Sequence, residues 1–156
     1  MPGLVFDGLK AYRYAGRAEA GPGRDALHAS TTVCTMTGHE PTILIVEDDA
    51  AFAYAASRHL EGAGYRTIVV GSSMAAFEKL DGGGVDLVIT DVRLVDGEPH
   101  GLALGRMIGT RRPKIPVILV TAYPDILEGE ALPGPVLRKP VDLSTLSQAV
   151  RASLAA

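Results

Sequence analysis

The sequence predicts an α/β fold built on a parallel sheet covered by helices on both faces. Three observations carry that prediction. From Pro41 onward short apolar runs alternate with segments of helical period, almost every apolar run ends in a polar residue, and Gly or Pro punctuates the joins. Strands that alternate with helices pair in parallel through right-handed crossovers, so each strand is buried on both sides and reads as a continuous apolar run.

The elements follow in order. TILIV (42–46) is short, apolar and β-branched, as a buried strand requires, and AFAYAASRHLEGAG places Phe52, Ala56 and Leu60 at helical spacing before Gly62 and Gly64 stop it. Asp49, just ahead of that helix, is of the residue type that caps a helix N-terminus. RTIVV (66–70) is a second strand, SMAAFEKL (73–80) a second helix ended by the turn DGGG, and VDLVIT (85–90) a third strand. GLALGRMIGT sets Leu104, Met107 and Ile108 on one helical face, and IPVILV is the fourth strand. YPDILEGE offers at most a short helix, PVLR a short fifth strand, and DLSTLSQAVRASL a last helix with the stripe Leu143, Leu146 and Val150. Residues 1–40 mix Gly, Pro, Ser and Thr with scattered charges and no sustained period, which predicts a poorly ordered tail ahead of a folded domain at 41–156; Met36 is a second possible start of translation.

Composition narrows the function. A length of 156 residues suits one domain, and a net charge of −3 gives no electrostatic reason for direct nucleic-acid binding. Cys34 is the sole cysteine, which excludes an internal disulfide and a CxxC metal knuckle. The absence of a long apolar run or an export signal makes membrane insertion and secretion unexpected and the cytoplasm the expected location. GxxxxGK[ST], GxSxG and HExxH are all missing from the sequence, which removes the common nucleotide-loop, hydrolase and metalloprotease readings. His59 reads as a surface residue of the first helix.

Ligands of such sheets bind at the carboxyl ends of the strands, where the strand order reverses. Strand one ends in Glu47, Asp48 and Asp49, strand three in Asp91, strand four in Thr121 and strand five in Lys139–Pro140. If strands one and three are neighbours, as in the order 2-1-3-4-5, carboxylates crowd one edge, and a hard divalent cation relieves their repulsion. An oxygen-only donor set points to Mg²⁺ in preference to zinc. A lysine and a hydroxyl beside it can hold an anion, and together these groups suit phosphoryl transfer to an aspartate.

ILIVEDD, VITDVRL, VILVTA and VLRKP, in this order and spacing, resemble the receiver domain of bacterial two-component response regulators, over roughly residues 41–155. The resemblance implies a flavodoxin-like doubly wound sheet of five strands in the order 2-1-3-4-5. It also implies Mg²⁺ held by Glu47, Asp48, Asp91 and the backbone carbonyl of Arg93. Asp91 is then the phosphoacceptor, Thr121 the switch hydroxyl and Lys139 the phosphate-binding lysine, with a cis bond to Pro140. It implies a sensor histidine kinase or a histidine phosphotransfer protein as donor, a downstream protein as target, and catalysis of no reaction beyond the chain's own phosphorylation and dephosphorylation. With no sequence left for an output module, a stand-alone receiver is expected.

Two other readings stay open: an interaction module that keeps the fold without using phosphate, and a haloacid-dehalogenase-like phosphatase, which would want an aspartate where Arg93 stands. The chain departs from the family pattern in three places. The loop after Asp91 is longer, the LEGEALPGP segment predicts a short or distorted fourth helix, and Val136 stands where many members carry an aromatic switch residue.

Overall fold

The computed structural model describes residues 39–94 and 100–156. The expected tail, apart from His39 and Glu40, and most of the lengthened loop after Asp91 lie outside the described residues. The element order is β1 (Thr42–Val46), α1 (Ala50–Gly62), β2 (Arg66–Val70), α2 (Ser73–Asp81), β3 (Leu87–Asp91), α3 (His100–Arg111), β4 (Val117–Thr121), a 3-10 turn (Pro124–Leu127), β5 (Val136–Arg138) and α4 (Leu143–Leu154). All pairings are parallel and the strand order is β2-β1-β3-β4-β5, so β1 and β3 are neighbours and the order reverses between them.

Side-chain alternation along the strands divides the core into two layers. Ile43, Ile45, Leu87, Ile89, Ile118 and Val120 face Ala56 and Leu60 of α1 and Leu146 and Val150 of α4. Leu44, Val46, Val88, Val117 and Leu119 face Ala76 and Leu80 of α2 and Leu102, Leu104 and Ile108 of α3. Fully burying each such Leu, Ile or Val contributes about 1.5–3 kcal/mol, so the two layers fix the strand register and with it the positions of the strand ends.

Local chemistry sets the ends of the helices. Asp49 caps α1, its Oδ1 accepting from the backbone N–H of Ala51 at 2.9 Å and of Phe52 at 3.2 Å. Ser72 caps α2 and Asp142 caps α4 in the same way. The DGGG turn needs glycine at Gly83 and Gly84, whose φ values are +74° and +76°. The third strand begins two residues later than its apolar pattern suggests and ends one residue later, on Asp91 itself, because Asp91 still pairs with Val120.

Between β4 and β5 the chain makes only the four-residue 3-10 turn. The remainder of that connection is pinned to α3. Arg106 donates from Nε to the carbonyl of Ala131 at 3.1 Å and its guanidinium meets the Glu130 carboxylate. Pro133 packs on Gly105 and Gly109, and a Cβ at Gly134 would lie 1.9 Å from the Val117 carbonyl oxygen, so only glycine fits there. Among the described residues, no helix is long and apolar enough to cross a membrane.

Candidate functional site

The carboxyl ends of β1, β3, β4 and β5 meet at one edge of the sheet, and their terminal residues form a cluster of charge. Glu47 follows β1 directly, Asp91 ends β3, Thr121 ends β4 and Lys139 follows β5. The register places Thr121 one residue beyond Val120, the partner of Asp91, and the Lys139 N–H donates to the Thr121 carbonyl at 2.8 Å. The sheet therefore positions all four before any side chain makes a contact.

Lys139 Nζ lies 2.6 Å from Glu47 Oε2 and 2.6 Å from Asp91 Oδ2, bridging the two carboxylates. Both acids are buried, Glu47 at 4% and Asp91 at 8% exposure. Burial raises the Glu47 pKa above the ordinary carboxylate value and the nearby charge of Asp91 adds to that, while Lys139 and the Asp49 backbone N–H oppose it. For Lys139, burial pulls the ammonium pKa down, but the hydrogen bonds it donates to Asp91 and Glu47, with the attraction of their charges, outweigh it and the net shift is upward. The second oxygen of each acid is held by backbone: Glu47 Oε1 accepts from the Asp49 N–H at 3.1 Å and Asp91 Oδ1 from the Arg93 N–H at 2.9 Å.

Glu47, Asp48 and Asp91 each offer a carboxylate oxygen within 4.8 Å of one another. Two are buried, Asp48 is exposed, and all the donors are oxygen, which fits a hard cation that keeps several waters. Thr121 is fully buried, and its Oγ1 accepts from the Tyr123 N–H at 3.0 Å, leaving its own proton free to donate. Of the predicted site residues, the structure thus brings Glu47, Asp48, Asp91 and Lys139 together, with Thr121 beside them on the adjoining strand. Arg93 is anchored to Asp91 through its backbone N–H. The Lys139–Pro140 peptide bond is cis. Asp49 is occupied as the α1 cap.

Three neighbours are not singled out by reading the strand ends alone. Phe52, read as one of a helical stripe, lies under Lys139, whose ammonium is 5.0 Å from the ring centroid. Tyr123, two residues after Thr121, stacks with the Arg93 guanidinium, also at 5.0 Å; its distance in sequence from Thr121 was the available signal. Gly101 in the first turn of α3 touches the end of β3 directly, since a Cβ there would lie 1.6 Å from the Asp91 carbonyl oxygen and 2.8 Å from Thr90 Oγ1. Gly101→Ala is therefore expected to push α3 off the end of β3, at a cost of about 1–3 kcal/mol or more in urea unfolding, and to slow any chemistry at Asp91. Wild-type stability in that variant would show that the helix shifts without strain. Val136 packs against the core in register with Leu119.

Residues 43–151 match the family model of the response regulator receiver domain. Among curated proteins, the chain is 33% identical over 124 residues to the transcriptional regulatory protein ZraR of Klebsiella oxytoca, covering 77% of this chain and 28% of that protein. It is 42% identical over 81 residues to the response regulator protein FleR of Pseudomonas aeruginosa, covering 52% of this chain and 17% of that protein. The chain thus spans less than a third of these curated relatives. Among solved structures, a response regulator receiver protein from Sinorhizobium medicae aligns with a TM-score of 0.69 at 28% identity, covering 75% of this chain and 96% of that one. A response regulator from Thermotoga maritima aligns with a TM-score of 0.65 at 26% identity, covering 76% and 100%. With its strand order, its clustered strand ends and a family match across most of its length, the chain belongs to the response regulator receiver domain family of two-component systems.

Proposed function

We propose that this receiver takes a phosphoryl group onto Asp91 from the phosphohistidine of a sensor histidine kinase or a histidine phosphotransfer protein, in a Mg²⁺-dependent reaction in the cytoplasm. It then signals by contact with another protein. The observation that carries this reading is the double contact of Lys139 with Asp91 and Glu47 at 2.6 Å each, which sets a cation against the proposed nucleophile and against a neighbouring acid.

In the proposed reaction a carboxylate oxygen of Asp91 attacks the phosphorus, the bond to the donor's imidazole nitrogen breaks, and that nitrogen keeps the electron pair. The product is an acyl phosphate on Asp91. Lys139, already at Asp91 Oδ2, is placed to donate to the incoming phosphoryl oxygens, and Thr121 Oγ1 has a proton to give to another. Glu47, Asp48, Asp91 and the Arg93 carbonyl would hold Mg²⁺, which when bound neutralises charge on the transferring group. Loss of the phosphoryl group reverses the roles: water attacks phosphorus, the bond to Asp91 breaks, and the carboxylate and inorganic phosphate are released. The chain's own chemistry is confined to these two steps.

Intact mass measured after incubation with phosphoramidate and Mg²⁺ tests the reading. One added phosphoryl group mapped to Asp91, and none when Mg²⁺ is chelated, is the expected result. Equal labelling with and without Mg²⁺ would overturn the metal assignment, and no labelling would favour a module that works without phosphate.

A further inference from the structure

The proposed chemistry makes a demand on Lys139 that its carboxylate partners do not meet. The ammonium is held by Glu47 Oε2 and Asp91 Oδ2 at 2.6 Å each, and these same two acids, with Asp48, form the group of oxygens that fits a hard cation. At equal distance a doubly charged ion attracts a carboxylate about twice as strongly as an ammonium does, so acids engaged by such an ion are weak partners for the lysine. The lysine must nevertheless stay beside Asp91 to meet an incoming phosphoryl group.

Among the described residues Nζ has one further partner, the Phe52 ring, whose centroid lies 5.0 Å away. The face of an aromatic ring attracts an ammonium through its quadrupole and offers no lone pair to a hard metal, so this contact is not among those a divalent ion takes over. It is also shielded from water. The Lys139 side chain is 20% exposed, and Phe52 is half-buried against the core layer that α1 and α4 cover. Backbone aims the ring: Glu47 Oε1 accepts from the Asp49 N–H at 3.1 Å, and Asp49 Oδ1 accepts from the Phe52 N–H at 3.2 Å. Glu47, Asp49, Phe52 and Lys139 therefore form a closed circuit, in which the cap of α1 also sets the ring against the ammonium.

Resting on the phosphoacceptor reading above, we propose that Phe52 is a positioning residue for phosphoryl transfer, whose ring holds the Lys139 ammonium at Asp91 while Glu47 and Asp91 are engaged by a divalent cation. Phe52 has no group that bonds to phosphorus or donates to oxygen. It acts through Lys139, keeping a positive charge where the phosphoryl oxygens arrive. An aliphatic side chain fills the same space and lacks the face that does this.

The test uses the full chain and has two arms. In the first, uptake from phosphoramidate in Mg²⁺ is followed by intact mass for wild type, Phe52→Leu, and chains in which the Phe52 ring carries one, two or three fluorines. Phe52→Leu should be about three- to tenfold slower, the ratio one partly shielded cation–π contact supports. Fluorine draws charge from the ring face and barely alters its size, so the rate should fall stepwise with fluorine number, a trend that packing alone does not produce. In the second arm, NMR follows the ε-methylene protons of Lys139, identified as the resonance missing from Lys139→Met. The ring should shift them upfield of the other lysines, they should stay there when Mg²⁺ is added, and in Phe52→Leu they should take the ordinary lysine position. A rate independent of fluorine number, or a Lys139 resonance that loses its upfield shift in Mg²⁺, would overturn the role of the ring while leaving Asp91 as the acceptor. A wild-type chain that takes no label would overturn the acceptor reading, and the part of Phe52 in transfer with it.

Discussion

Asp91→Asn is expected to lose phosphoryl uptake entirely, with labelling at background in Mg²⁺ and phosphoramidate, while the fold is retained. The side chain keeps its shape, so an amide oxygen can still accept from the Arg93 N–H that now holds Asp91 Oδ1 at 2.9 Å. The other half of the group fares differently. Asp91 Oδ2 faces the Lys139 ammonium at 2.6 Å, and an amide NH₂ in that place sets donor against donor. Lys139 is then expected to turn wholly to Glu47, its second partner at the same distance. Removing one of two crowded acids also relieves like-charge repulsion, so the variant should unfold at wild-type or higher urea concentration at neutral pH. Labelling that persists in a folded Asp91→Asn chain would move the acceptor elsewhere, and Asp48, the exposed member of the same cluster, would be the first residue to examine.

Most of the fold was legible because each strand carries its own instructions. TILIV, VILVT and LVIT are buried on both faces, so they read as unbroken apolar runs, and the parallel order follows from the helices between them. The site was legible for a related reason. A buried apolar strand has no use for a carboxylate or an ammonium at its end, so Glu47, Asp91 and Lys139 stood out as residues that only convergence could explain. What stayed hidden depends on contacts between segments far apart in the chain. Pro133 and Gly134 read locally as helix breakers, which foretold the short 3-10 turn. Their role in seating the segment on Gly105, Gly109 and the Val117 carbonyl could not be read without the partner residues. Phe52 likewise counts toward the α1 stripe in sequence, and its place beneath Lys139 emerges only when the sheet brings the residue after β5 over the start of α1. The start of β3 was placed two residues early because Val85 is apolar and buried like the strand itself, yet the ladder begins only at Leu87, the partner of Ile43.

Lys139→Met should unfold more easily than the wild type by about 3 kcal/mol at neutral pH without metal, because it strips the cation from two buried acids. Methionine keeps much of the aliphatic stem, which separates loss of charge from loss of packing. The deficit should depend on pH, and its sign is set by Glu47. The Glu47 pKa is raised in the folded chain, first by burial, and Lys139 is among the groups that hold it down, so the variant raises it further. A carboxyl with a raised folded pKa favours the folded state when protonated and costs stability as pH rises through that value. The deficit should accordingly be small near pH 4.5, the ordinary glutamate value, and widen as pH rises toward neutrality. In the wild type, Lys139 itself is charged across this whole window, because its pKa is raised above 10.5 and its contribution fades only in more alkaline solution. Urea unfolding from pH 4.5 to 8 measures the difference. Mg²⁺ provides an independent arm: with the ammonium gone, a cation held by Glu47, Asp48 and Asp91 has no internal competitor and should recover stability more in the variant than in the wild type. A deficit that stays constant with pH, or one that Mg²⁺ leaves untouched, would show that Lys139 acts through packing on Phe52 and not by neutralising the acids around Asp91.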